Sequence, residues 1–207
     1  MVKGKKPANK KKQSVRKAAA VREPAEMIEI RWHGRGGQGV VSVAQFVGLA
    51  ALHEGKFIQA FPEFGPERTG APIKAFDRIS EGQIELHSQV YAPDIVLVID
   101  PTLLSSINVT EGLKKGGLLI VNSPKDPHAV SADLKAAEFK VHTVDATRIA
   151  MDTFGKPLFN TAMLGALVKV SGIVSLDSVL QVVSERFTGK IGELNLNAIK
   201  RAYEEAR

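Results

Sequence analysis

Six consecutive residues, Gly34, Arg35, Gly36, Gly37, Gln38 and Gly39, carry the strongest chemical signal in the 207-residue chain. Gly34, Gly36 and Gly39 satisfy G-x-G-x-x-G, after the alternating run of residues 27–33 (MIEIRWH) and before a stretch with helical spacing. In that context glycine lets the backbone approach an anion, and the helix that follows presents unpaired N–H groups to it. Arg35 can add a guanidinium to a phosphate site or pair with an acidic partner. The pattern suits a dinucleotide, and it equally suits a tight strand-to-helix turn that needs glycine for its backbone. A dinucleotide site also requires an acid for the ribose hydroxyls at the end of the next strand. Glu63 stands there, behind Pro62, while Glu54 has the right separation but falls inside the helix.

Residues 61–72 (FPEFGPERTGAP) form the second unusual segment, too rich in Pro, Gly and aromatic residues for regular structure. Its phenylalanines either fold back onto their own domain or face a partner. Glu67 and Arg68 offer charge-assisted contacts to a partner or an anion. The other constellations are weaker. His33, His53, His87, His128 and His142 show no metal-ligand spacing, and no nucleophile elbow, phosphate-loop lysine or carboxylate pair is present. No residue is assigned a catalytic role. Asp100 closes an apolar run at the edge where α/β sheets place ligands, although Asp-Pro is also an ordinary way into a helix.

The elements that must position these residues follow from periodicity. Val40, Val43, Ala44, Val47 and Ala51 predict a helix after the glycine loop, and residues 57–61 and 72–79 predict strands, giving βαβ organisation. The apolar runs at 95–99 and 118–121 read as buried parallel strands, and 140–144 as another. Leu176, Val179, Leu180, Val183 and Phe187 predict a helix capped by Ser175 and closed by Gly189, with further helices at 161–170 and 196–206. The expected fold class is α/β: a single Rossmann-like three-layer domain with a mostly parallel sheet and a helical C-terminal third.

Composition narrows the function classes. At 44% apolar and 24% charged residues, with no apolar run of the roughly 20 residues that span a bilayer and no hydrophobic leader, the reading is a cytoplasmic protein without a membrane partner. The formal charge of +6 is concentrated: nine of 28 Lys/Arg lie in residues 1–22, which hold no acid, leaving 19 basic against 22 acidic residues. Residues 1–22 are thus expected to be a basic, disordered extension and residues 23–207 one domain. The extension lacks the interleaved aromatics of a base-stacking arm, and the near-neutral body speaks against a nucleic-acid partner. With no cysteine, disulfides, thiol nucleophiles, thiolate zinc sites and iron–sulfur clusters held by this chain alone are excluded.

Four stretches, 31–41 (RWHGRGGQGVV), 61–72, 91–102 (YAPDIVLVIDPT) and 160–166 (NTAMLGA), together resemble the gamma subunit of the pyruvate:ferredoxin oxidoreductase family, the counterpart of domain III in its large single-chain members. The resemblance runs over residues 27–206. It implies a thiamine-diphosphate enzyme turning pyruvate, or another 2-oxoacid, plus coenzyme A and oxidised ferredoxin into acyl-CoA, carbon dioxide and reduced ferredoxin.

It also implies alpha, beta and delta-type partner subunits, with ferredoxin as electron acceptor of the complex. Thiamine diphosphate, magnesium and 4Fe–4S clusters would lie on those partners and none of them on this chain alone. Its role would be to shape and hold the assembly, without activity by itself. On the same resemblance Gly34, Arg35, Gly36, Gly37, Gln38 and Gly39 become candidates for an anion or coenzyme A phosphate contact, and Glu67 and Arg68 for coenzyme A or the subunit interface. The rival reading, resting on the glycine fingerprint alone, is a free-standing NAD(P)-binding Rossmann oxidoreductase.

Overall fold

The protein is represented by a computed structural model that describes Met1, residues 26–63 and residues 69–207. The basic extension beyond Met1, and the candidates Glu67 and Arg68, lie outside the described residues. In chain order the elements are β1 (Met27–Arg35), α1 (Val40–His53), β2 (Phe57–Pro62), β3 (Pro72–Ser80), β4 (Ile95–Val98), a 3-10 turn (Pro101–Ser105), β5 (Leu118–Asn122), α2 (Pro127–Leu134), β6 (Lys140–Val144), α3 (Ala146–Phe154), α4 (Asn160–Ser171), α5 (Leu176–Arg186) and α6 (Gly189–Glu205).

One six-stranded sheet runs in the order β2-β3-β1-β4-β5-β6. Strands β1, β4, β5 and β6 are parallel, while β3 is antiparallel to both β1 and β2. The expected βαβ unit is therefore split, and β2 does not touch β1. Residues 63–71 are too few for a parallel crossover, which needs a dozen or more residues, so β2 and β3 form a hairpin and β3 takes the slot beside β1.

Two layers of side chains cover the sheet. On one face Ile30, Trp32, Leu97 and Ile120 pack with α1, α3, α4, α5 and α6 into the main core. On the other, Val96, Val98, Leu119 and Val121 pack against the 3-10 turn, α2 and residues 107–113. The predicted α1 stripe of Val40, Val43, Ala44, Val47 and Ala51 is fully buried. Beside Trp32, the Asp77 carboxyl is completely enclosed: Trp32 Nε1 donates to Oδ2 at 2.7 Å, and Oδ1 has no partner among the described residues. Burial pushes this carboxyl well above its ordinary range, only partly opposed by the Trp32 hydrogen bond.

The helical C-terminal third departs from the pattern in detail. Helix α5 stops at Arg186, and Gly189, expected to close it, instead opens α6. Phe187 adopts extended backbone and meets Phe46 edge-on with centroids 6.0 Å apart, which takes the chain out of the helix early. Helix α6 starts at Gly189 and not near 196, because its first turns are fixed by polar contacts: Thr161 Oγ1 donates to the buried Asn195 at 2.9 Å. Helices α2 and α3 lack an apolar stripe long enough to read. Each instead begins at an aspartate cap, Asp126 accepting from Ala129 N at 3.0 Å and Asp145 from Arg148 N at 2.9 Å. Among the described residues no helix is long and apolar enough to cross a membrane.

Candidate functional site at the carboxyl edge of the sheet

After β1 the chain moves to the β3–β2 side, and after β4 it moves toward β5. The crevice between the carboxyl ends of these two neighbours is the switch point of the sheet, where doubly wound folds bind ligands. The glycine loop leaves β1 there and Asp100 leaves β4 there, with Ile99 N donating to His33 O at 2.8 Å.

Gln38 closes the glycine loop. Its Oε1 accepts from Arg35 N at 2.7 Å, its own N donates to Arg35 O at 3.0 Å, and its Nε2 donates to Asp100 Oδ2 at 2.6 Å. Gly36 N donates to Ala71 O at 2.9 Å. The amides of Arg35, Gly36 and Gln38 are thus used inside the chain, which leaves fewer donors for a phosphate than the glycine pattern suggests.

Arg35 ties three segments together. Its Nε lies 3.3 Å from Asp100 Oδ2, Nε and Nη2 donate to Thr102 Oγ1 at 3.1 and 2.8 Å, and Nη1 donates to Gly70 O at 3.1 Å. Asp100 in turn caps the 3-10 turn, accepting on Oδ1 from Thr102 N at 2.9 Å and from Thr102 Oγ1 at 2.6 Å. Burial alone would raise the Asp100 carboxyl, but hydrogen bonds from Thr102 and Gln38 and the Arg35 charge outweigh it and hold the group below its ordinary value. Asp100 is therefore an ionised counter-charge to Arg35, and the crevice is close to neutral.

Gly39 completes the edge. It sits at φ 73° as the N-cap of α1, and a Cβ there would collide with Nδ2 of Asn160, the first residue of α4. The two helix amino ends thus converge at one point, and among the described residues neither has a side-chain cap. Gly39→Ala is expected to lower stability by about 1–3 kcal/mol, from left-handed strain plus displacement of Asn160. Thermal unfolding would show it, and an unchanged midpoint would contradict the contact.

The four stretches that carried the resemblance therefore meet: 31–41 at the glycine loop, 61–72 through Gly70 and Ala71, 91–102 through Asp100 and Thr102, and 160–166 through Asn160. Sequence reasoning brought Arg35 and the glycines here but gave Thr102 and Asn160 no role. The Asp-Pro-Thr run, in which an aspartate can accept from the threonine two residues on, was the available signal for Thr102.

The acids expected for a dinucleotide ribose are elsewhere. Glu63 pairs with Lys74 at 3.2 Å on the far side of β3, and Glu54, at the end of α1, accepts from Ser175 N at 2.6 Å. The interposed β3 removes the geometry on which the NAD(P) reading rests. His33 is buried, and Arg31 Nε donates to its Nε2 at 3.0 Å. Burial, with the charges of Arg31 and Lys74, lowers its pKa to about 3, so it stays neutral near pH 7. Among the described residues no group of three or more His, Asp or Glu could hold a metal ion.

These features define a doubly wound α/β domain whose switch point is laced together by its own side chains. The family model "pyruvate ferredoxin/flavodoxin oxidoreductase" matches residues 29–205, and the chain belongs to that family. It is 52% identical over 179 residues to pyruvate synthase subunit PorC of Methanocaldococcus jannaschii, covering 86% of this chain and 97% of the relative. It is 49% identical over 181 residues to the pyruvate/ketoisovalerate oxidoreductases common subunit gamma of Pyrococcus abyssi, covering 87% and 98%. The crystal structure of the pyruvate oxidoreductase subunit PORC of Thermotoga maritima aligns with a TM-score of 0.77 at 43% identity, covering 87% of this chain and 97% of that one.

Proposed function

We propose that this chain is the gamma subunit of a thiamine-diphosphate-dependent pyruvate:ferredoxin oxidoreductase, contributing assembly and active-site shaping. The observation that carries the reading is the meeting of four separated stretches at one sheet edge. That edge is built as a rigid ledge of paired side chains, which suits docking. Its partners are then alpha, beta and delta-type subunits, with ferredoxin taking electrons from the complex. Held on those subunits, thiamine diphosphate would supply the electron sink for decarboxylation of a 2-oxoacid. A relative named for both pyruvate and ketoisovalerate oxidoreductases supports placing substrate choice on other subunits.

This chain's own residues do not fit the cofactors. It has no cysteine for a cluster, and among the described residues no group of three or more His, Asp or Glu could hold a metal ion. Coenzyme A fits only in part: among the described residues the Gly37 and Gly39 amides have no backbone partner, but Arg35 is already matched by Asp100. Docking is the better supported role of the loop.

Arg35→Ala tests it. The clip is partly exposed and its bonds to Thr102 and Gly70 are local, so the isolated chain should lose only about 1–2 kcal/mol. Gently purified anaerobic complex should then retain the chain about tenfold less, measured by native mass and by pyruvate- and coenzyme A-dependent viologen reduction in the same fractions. Intact assembly with a raised KM for coenzyme A would favour the phosphate role. Purification of the wild-type chain as a lone homo-oligomer, without larger subunits, would defeat the gamma-subunit reading.

A further inference from the structure

The amino edge of the sheet, opposite the glycine loop, holds a cavity of about 460 Å³. Its position follows from register. Ile95, Leu118 and Lys140 are paired across β4, β5 and β6, so they form one row at the starts of three parallel strands, and the row passes from apolar to charged at the end of the sheet. Ile28 of β1 continues the apolar side, and Val170 and Ile173, at and just past the carboxyl end of α4, complete it. Ile95 and Ile173 are buried, so this floor belongs to the main core and is held in place by it.

The other side is a lysine-bearing turn. Gly116 N donates to Glu138 O at 2.9 Å and Gly117 N to Lys114 O at 2.8 Å, and a Cβ on Gly117 would lie 2.8 Å from both Asp94 O and Lys114 O, so the turn is tight and fixed. It sets Lys114 and Lys115 in the lining together with Lys140. Lys114 is matched, its Nζ 2.8 Å from Oδ1 of Asp94, the acid of the lining. Lys56, which donates to Ile173 O at 2.5 Å, is matched by Glu54 at 3.2 Å. Lys115 and Lys140 have no carboxylate at ion-pair distance among the described residues. The carbonyl end of α4 offsets about half of one charge, which leaves the lining with a net charge of about +1.5. A cavity of this size with an apolar floor and a few charged groups on one side has the form of a small-molecule site, and an anion with an apolar body meets both halves.

We propose that the amino-edge cavity binds a small organic phosphate, with the phosphate at Lys115 and Lys140 and a planar or branched apolar body on Ile28, Ile95 and Val170. A phosphate monoester carries about −1.5 to −2 at pH 7, which answers the excess charge where a carboxylate supplies only one unit, and lysine binds phosphate as a point charge. The site lies at the opposite edge from the glycine loop and stands independently of the gamma-subunit reading.

The test titrates the full chain with 1-naphthyl phosphate and follows backbone amide shifts. Gly116, Gly117 and Leu118 should move and give one dissociation constant. Positions 115 and 140 are exposed, so the double variant Lys115→Gln/Lys140→Gln should melt as the wild type does, yet bind about tenfold more weakly, while Lys115→Arg/Lys140→Arg should stay within about threefold. 1-Naphthoate, one charge on the same rings, should bind about fivefold more weakly than the phosphate ester, and inorganic phosphate, the head without a body, about tenfold more weakly or worse. Equal affinity in the Gln variant, equal binding of naphthoate, equal binding of inorganic phosphate, or shifts confined to other residues would overturn the proposal. So would the absence of any shift at millimolar probe, which would mean that residues outside the described set fill the cavity or that its lysines are only a solvated rim.

Discussion

Gly165→Ala should destabilise the domain by about 3–5 kcal/mol, more than any other single-methyl addition considered for this chain. Helix α4 is buried from Thr161 to Val168, wedged between the sheet and α6. Gly165 faces α6 at the closest approach: a Cβ would collide with the Ile199 carbonyl oxygen and lie 2.8 Å from Tyr203 N, with Ala202 Cβ at 3.1 Å. Two of these three obstacles are backbone, so no rotamer change relieves them and the helices must separate. Separation opens a gap along Ala198, Ile199 and Ala202, all fully buried. Guanidinium unfolding of the full chain measures the loss. The backbone argument makes a sharper statement: trimming the only side-chain obstacle, in Gly165→Ala/Ala202→Gly, should recover almost none of it. A loss under about 1 kcal/mol, or full rescue by the second change, would show that α6 can shift freely.

Gly165 also marks where the sequence stopped being legible. Its surroundings read as helix, and α4 is one, but nothing local says that this glycine receives a second helix 34 residues on. The parallel strands were readable because each is a short unbroken apolar run, a pattern that buried strands impose. The place of β3 was not, since hairpin insertion is decided by the length of residues 63–71 and by competition for the slot beside β1, not by the alternation within either strand.

The candidate site was half legible for the same reason. The glycine loop announced itself by type and spacing, whereas its partners Asp100, Thr102 and Asn160 come from strands and helices far along the chain. Their convergence follows from sheet order, and a sequence gives sheet order only weakly. The loop's backbone donors also looked free in sequence. Gln38, a candidate there for an anion or coenzyme A contact, occupies one of them and bonds Asp100 as well.

Asp77 is expected to set the alkaline limb of the stability profile. Its carboxyl is enclosed beside Trp32, with one oxygen unpaired and no cation in contact among the described residues, so the folded state favours its protonated form. Because its folded pKa is raised, its contribution is fully present below the unfolded value of about 3.9 and is lost as pH rises toward the folded value, at about 1.4 kcal/mol per unit. His33 acts with the opposite sign. Its folded pKa is lowered to about 3, so stability falls as pH drops below the unfolded value of about 6.5. Asp77→Asn keeps an acceptor for Trp32 Nε1 and removes the ionisation, at the cost of one extra unpaired amide N–H, about 1–3 kcal/mol. The variant should gain about 1–3 kcal/mol at pH 7, match or fall below the wild type near pH 4, and keep the His33 limb unchanged. Urea unfolding from pH 4 to pH 8 reads both limbs. A constant difference between the two proteins across that range would mean that Asp77 is ionised in the folded state, and that a cation or water reaches the oxygen this structure leaves unpaired.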